Sequence, residues 1–283
     1  MKKTFNFKTS VLTLVWSWLI LFALLPIGML LLTSFMAERT PLQEATFTLA
    51  HYQQLINTTY LVVFEKSLLI AGCTTFCCLL LGYPFAYLIA RMRQPIKNYC
   101  MLFVIIPFWT SSLIRSYALI AILKAKGLLN TCLIALGIIH QPLAILFTNT
   151  AVMLGLIYNL LPFMILPIMT NIEKLDYQLI DAAHDLGANS VTTFTRVILP
   201  LTMPGIIAGC ILVFLPAMTI FYIPDILGGA KSVLLGNLIQ NQFLIAQNWP
   251  MGSAMSAVLT LVLVTLIFIY WRILQQNKKQ AGL

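Results

Sequence analysis

Asp225 follows Phe221, Tyr222 and Pro224 at the end of an apolar run. A carboxylate beside aromatic faces can hold an ammonium ion by charge pairing and cation–π attraction. A solvated loop residue would have the same neighbours, so both readings stand. Trp109 and Tyr117 add aromatic faces in another apolar run, although rings at such positions also serve as interface anchors. Arg115 lies between them and is a poor ligand for any cation. About 15 residues of unbroken helix would carry it ~22 Å from the inner face, at 1.5 Å per residue. There it either snorkels to the outer interface or forms a structural ion pair or gate.

The other polar stretch is Asp181-Ala182-Ala183-His184-Asp185-Leu186-Gly187, running on to Val197-Ile198-Leu199-Pro200. Ala182 and Ala183 favour helix, and Gly187 falls where a short helix must stop and turn. Asn189 and Ser190 can cap a second short helix, Val191 to Leu199, which Pro200 is expected to close. The spacing predicts a helix–Gly turn–helix hairpin whose small residues let another protein come close.

No catalytic constellation accompanies these groups. His51, His140 and His184 fall on separate loops. Gly228-Gly229-Ala230-Lys231-Ser232 lacks the Gly-Lys step of a phosphate loop, so a Walker-type ATP site is not expected in this chain. The six cysteines lie in or beside apolar runs, except Cys132 in a loop, and show neither a disulfide framework nor zinc spacing.

The elements that position these residues are set by composition. Of 283 residues, 60% are hydrophobic and 9% charged, too few polar groups to coat a water-soluble globule. The mean hydropathy of +0.93 agrees. The formal charge of +9 then belongs to membrane-flanking loops, and without a basic patch interleaved with aromatics no nucleic acid is expected. Between Lys8 and Glu38 run 29 uncharged residues, more than the ~15 of a signal sequence, which reads as a retained anchor.

Apolar runs of about 20 residues give six spans: Val11–Ser34, Lys66–Arg91, Cys100–Leu123, Ala144–Met169, Pro204–Tyr222 and Ala254–Trp271. The fold class is therefore all-α, a polytopic membrane protein, read as one transmembrane domain, 1–283. With the N-terminus inside, eleven basic residues face the cytoplasm: Lys2, Lys3, Lys8, Arg91, Arg93, Lys97, Lys174, Arg196, Arg272, Lys278 and Lys279. Five lie outside: Arg39, Lys66, Lys124, Lys126 and Lys231. That bias places both termini and the 181–200 hairpin in the cytoplasm. Outside, a helix is expected near Leu49–Ile56, Lys124–Pro142 is a loop, and an amphipathic stretch follows Gly228-Gly229.

The order acidic-Ala-Ala, three residues, Gly, nine residues, aliphatic-x-Leu-Pro resembles the EAA signature of ATP-binding-cassette importer permeases. Asp181 stands for the usual Glu and Val197 for the usual Ile. Pro107-Phe108-Trp109-Thr110 with Ser112-Leu113-Ile114-Arg115 is similar to the third span of spermidine/putrescine importer permeases. So are Ile172 to Asp176, Pro200 to Cys210, Gly228 to Lys231 and Trp249-Pro250. The resemblance covers nearly the whole chain and implies a type I importer permease fold in a bacterial inner membrane. It implies that Asp181, Ala182, Ala183, Asp185, Gly187 and Pro200 form a coupling helix seated in a groove of a dimeric cytoplasmic ATPase. It also implies a second, PotC-like permease, a periplasmic polyamine-binding protein, a polyamine substrate, and no cofactor of the chain's own, since ATP is used by the partner. An importer permease for another small cationic or organic solute is the alternative. A secondary transporter would need acidic residues within the spans, and a membrane enzyme a convergent catalytic set; neither is visible.

Overall fold

The computed structural model describes residues 7–37, 46–229 and 232–280, and among them the chain is helical, with only an isolated bridge between Met36 and Phe47. Lys2, Lys3, Glu38, Arg39, Glu44 and Lys231 lie outside the described residues. Six segments are long and apolar enough to cross a membrane: Ser10–Ser34, Thr58–Ala90, Ser112–Ala135, Asn149–Glu173, Ser190–Thr219 and Trp249–Ile269. The chain divides into two compact units.

The first unit comprises Met1–Leu61 and Ile239–Thr265. α1 (Phe7–Leu19) passes through a π-helical turn, Ile20–Leu24, into α2 (Leu25–Ser34). The short α3 (Ala50–Leu55) falls where the sequence predicts an external helix. It is fastened to the end of α2 by Ser34 and Tyr52, whose oxygens are 2.7 Å apart, and by His51 Nε2, 3.1 Å from the Met36 carbonyl. Thr33 donates to Ser253 Oγ at 2.8 Å.

The second unit, Val62–Leu238 with Leu266–Leu283, carries the residues singled out above. Its core is α8 (Asn149–Glu173) against α11 (Leu199–Thr219). Val152, Leu156, Leu160, Met164, Ile168 and Ile172 recur every fourth residue and are all buried, forming the stripe that α8 presents inward. A Cβ on Gly205 would meet Asn171 Cβ and the Pro167 carbonyl at 2.8 Å, and one on Gly209 would meet Met164 Sδ at 2.7 Å. Gly205 and Gly209 thus let α11 lie close against α8, a use of small residues four apart. The unit also contains α4 (Thr58–Ala90, in its greater part), α5 (Gln94–Ile105), α6 (Ser112–Leu123) and α7 (Leu128–Ala135), with α6 packed on both α8 and α7. α12 (Leu235–Leu244) follows the Gly228-Gly229 turn as the predicted amphipathic stretch, and α13 (Trp249–Gln280) ends the chain.

Four expectations need correction. The predicted span Cys100–Leu123 is not one helix: a 3₁₀ turn, Ile106–Trp109, and extended backbone at Thr110 and Ser111 split it into α5 and α6. Pro107 supplies no N–H there, and the apolar segment long enough to span begins only at Ser112. The Lys124–Pro142 loop contains α7, so Cys132 is helical. Glu65 and Lys66 lie inside α4; at 1.5 Å per residue its 33 residues exceed the ~30 Å hydrocarbon core, which leaves length for charged ends.

The fourth correction concerns Pro200, which closes nothing. α10 (Ser190–Thr193), a π-helical turn, Phe194–Ile198, and α11 form a continuous helix from Ser190, so the fifth span does not start at Pro204. A proline inside an α-helix collides with the carbonyl four residues back. The π turn widens the helix immediately before Pro200 and shifts those carbonyls, so the helix runs on. The same order recurs in the first unit, where the π turn Ile20–Leu24 precedes Pro26.

Candidate functional site

Residues 176–200 form an exposed hairpin. Asp176 caps α9 (Tyr177–Asp185), its carboxylate accepting the Gln178 N–H at 3.0 Å. α9 ends in a Schellman turn: Ala188 N–H donates to the Ala183 carbonyl at 3.0 Å and Gly187 N–H to the His184 carbonyl at 2.9 Å. Gly187 sits at φ +78°, the left-handed region expected of it. Asn189 then caps α10 by accepting the Thr192 N–H at 2.8 Å, while Ser190 is the first helical residue and caps nothing.

Asp181, Ala182, Asp185 and Gly187 are exposed and Ala183 half-buried. Leu179, Leu186 and Val191 are 48%, 89% and 71% exposed. Leu179, Ala182 and Leu186 share one helix face and form an exposed apolar strip. A search of the sequence for small residues passes over these larger ones, although their helical spacing can be counted there. At the base of the hairpin Lys97 pairs with Glu173 at 2.7 Å, tying the start of α5 to the end of α8.

The root of the hairpin is gripped by α4. Phe194, first residue of the π turn, meets Tyr83 and Tyr87 edge-on, with ring centroids 5.7 and 6.4 Å apart. Tyr83 and Tyr87 stack at 6.5 Å, and the Arg91 guanidinium lies 4.3 Å over the Tyr87 ring. Tyr83 Oη is 3.1 Å from Thr202 Oγ1, and both residues are buried. Tyr83, Tyr87 and Arg91 are spaced four apart along one helix face, but their meeting with Phe194 and Thr202 is set by tertiary packing across more than a hundred residues.

Arg115 departs from expectation. It lies in the first turn of α6 and is 9% exposed, so it does not snorkel. Nε and Nη1 have no hydrogen-bond partner, and no carboxylate among the described residues pairs with it. The guanidinium carbon lies 5.6 Å from the Phe108 ring centre and 5.9 Å from that of Tyr158. Aromatic faces contribute about 2 kcal/mol to a desolvated cation, well short of the several kcal/mol that desolvation costs. The helix N-terminus adds a further unfavourable field.

Asp225 lies exposed in a π-helical turn, Pro224–Gly228, that packs on α6. It accepts a hydrogen bond from the Asn237 amide, so it is a partnered carboxylate and not a freely solvated one. Tyr222 donates to Ser112 Oγ at 2.8 Å and meets Phe221 edge-on at 6.1 Å. Trp109 and Tyr117 are 79% and 61% exposed. Neither makes a ring contact with Phe221 or Tyr222 among the described residues.

Among the described residues, six helices long and apolar enough to span and an exposed Gly-turned hairpin are the features of a polytopic membrane protein. The chain belongs to the family of binding-protein-dependent transport system inner membrane components, whose model matches residues 82–280. It is similar to the spermidine/putrescine transport system permease protein PotB of Salmonella typhimurium, 47% identical over 273 residues, covering 96% of this chain and 95% of that protein. The PotB of Haemophilus influenzae is 49% identical over 268 residues, with 94% of each chain covered. Among solved structures, a bacterial ABC transporter involved in the import of alginate superposes with a TM-score of 0.78 at 15% identity. That match covers 95% of this chain and 94% of the other. The MetNI methionine ABC transporter gives 0.56 at 16% identity over 75% and 93%. These structures share the fold, that of an ABC importer permease.

Proposed function

We propose that the chain is a polyamine-translocating permease of an ATP-driven importer, forming half of the route across the inner membrane. The observation that carries this reading is the hairpin with its Gly187 Schellman turn and exposed Leu179/Ala182/Leu186 strip. A rigid, polar-flanked apolar knob between two spans suits insertion into a groove of another protein. High identity to PotB proteins supports spermidine or putrescine as substrate. In this reading Asp181, Ala182, Ala183, Asp185 and Gly187 dock on a dimeric cytoplasmic ATPase, while Pro200 passes the hairpin into α11. ATP is used by that partner, and the chain needs no cofactor of its own. A second, PotC-like permease completes the route, and a periplasmic polyamine-binding protein delivers the substrate. Both termini face the cytoplasm, and residues 1–283 act as one permease domain.

The cycle follows from differential binding. ATP closes the ATPase dimer, the hairpins move with it, and the cavity between the permeases changes the side to which it opens. Such a shift is limited by the difference in ATP affinity between the two states. Asp225 lies shortly beyond the end of α11, and with Tyr222 and Phe221 it supplies acceptor and aromatic faces for an ammonium group. Trp109 and Tyr117, exposed from α6 and the turn before it, suit the face turned to the second permease. Arg115, buried and only partly compensated, suits a gate. Co-expression with the ATPase, the second permease and the binding protein tests the assignment. Spermidine-stimulated ATP hydrolysis and uptake in proteoliposomes are expected. Stimulation by a non-cationic solute alone would overturn the substrate, and failure to co-purify with any ATPase would overturn the class.

A further inference from the structure

Movement of the hairpin is useful only if it reaches the spans, and the chain places a π turn between the two. A π turn holds one surplus residue and is a point where helices slip and bend. Left alone, the Phe194–Ile198 turn would absorb displacement of α9 and α10 before it reached α11. It is bracketed instead. On its hairpin side Phe194 is seated against Tyr83 and Tyr87 of α4. On its span side Thr202 is bonded through Oγ1 to Tyr83 Oη at 3.1 Å. Tyr83 therefore touches the helix at the first residue of the bulge and again beyond it, and Arg91 over Tyr87 closes the far end of the cluster.

We propose that Phe194, Tyr83 and Thr202 are positioning residues that clamp the π turn, so that force entering at the hairpin moves α4 and α11 as one body. The turn accommodates Pro200, and the clamp removes the compliance that the turn would otherwise introduce. This inference rests on the coupling reading above. It adds a specific transmission route: hairpin to Phe194, Phe194 to α4, and α4 through Tyr83 back to α11 beyond the bulge.

The test uses the full importer in proteoliposomes, measuring ATP hydrolysis and spermidine uptake together. Phe194→Ala is expected to retain the ATPase and its hydrolysis while uptake per ATP falls about ten-fold. Phe194→Tyr, which keeps the ring, is expected to restore the ratio, whereas Phe194→Met, which refills most of the volume without a ring, is expected to leave it low, an outcome that a mere deficit of packing volume would not predict. Thr202→Val, nearly unchanged in volume, is expected to lower the ratio in the same direction and decides the matter if Phe194→Ala does not assemble. An unchanged uptake-to-hydrolysis ratio in Thr202→Val, or in an assembled Phe194→Ala, would overturn the clamp, as would parallel loss of both activities in an intact complex. Failure of the coupling reading is a separate result, seen as wild-type permease that binds no ATPase.

Discussion

The Asn237 side chain donates from one nitrogen both to the Asp225 carboxylate and to the Phe221 carbonyl, the latter at 2.7 Å. Asn237 is buried and its Oδ1 accepts the Leu234 N–H at 3.3 Å, so a single amide holds the loop that presents Asp225, Tyr222 and Phe221. A charge-assisted hydrogen bond to the substrate is worth about 1.5–3 kcal/mol, so Asp225→Asn should weaken uptake ten-fold or more. ATPase association should be unchanged. A raised half-saturating polyamine concentration marks binding, a lowered maximum alone marks gating, and wild-type uptake removes the residue from the path.

Gly187 has open space where a Cβ would sit, so its constraint is the backbone and not crowding. Gly187→Val should cost roughly 1–2 kcal/mol and misplace the hairpin, abolishing ATPase association while membrane insertion persists. Asn tolerates the left-handed region, so Gly187→Asn should keep association and at least half of uptake, as pull-down and transport assays would show. Equal behaviour of the two variants would refute the Schellman turn as the requirement.

The Arg115 guanidinium is buried without an acceptor on Nε or Nη1, a placement whose desolvation cost the Phe108 and Tyr158 rings offset only in part. Arg115→Met should therefore raise stability by at least about 1 kcal/mol while uptake falls. Thermal unfolding of the purified complex reads the sign. A lowered midpoint would make the residue a structural support and not a gate.

Orientation rests on charge alone. Reporter fusions after Arg93 and after Gln276 should read cytoplasmic, and a fusion at 46–50 periplasmic. A periplasmic C-terminus would invert the hairpin and remove it from any ATPase.

The hairpin and the spans are legible in the chain because both are short-range features. The Asp181-to-Gly187 turn depends on one glycine at a helix end and on the adjoining cap at Asn189. Apolar length likewise marks the spans. The breaks are hidden for two reasons. Pro200 reads as a helix end only if the helix before it is assumed regular, and the π turn at Phe194–Ile198 voids that assumption. Pro107 sits in an apolar run whose length suggests continuity, and the break there puts Arg115 in the first turn of a new helix. The clamp of Tyr83 on Phe194 and Thr202 joins residues more than a hundred positions apart, which no local pattern records.

Entry of the hairpin tip into the ATPase is the step on which the whole importer reading depends. Leu186, 89% exposed at the end of α9, is the residue to probe. A photo-cross-linker at position 186 in the assembled, transport-active importer should give a single adduct of permease and ATPase. Its yield should change when ATP is trapped. A transport-active complex in which position 186 cross-links only to lipid, or to nothing, would contradict the account.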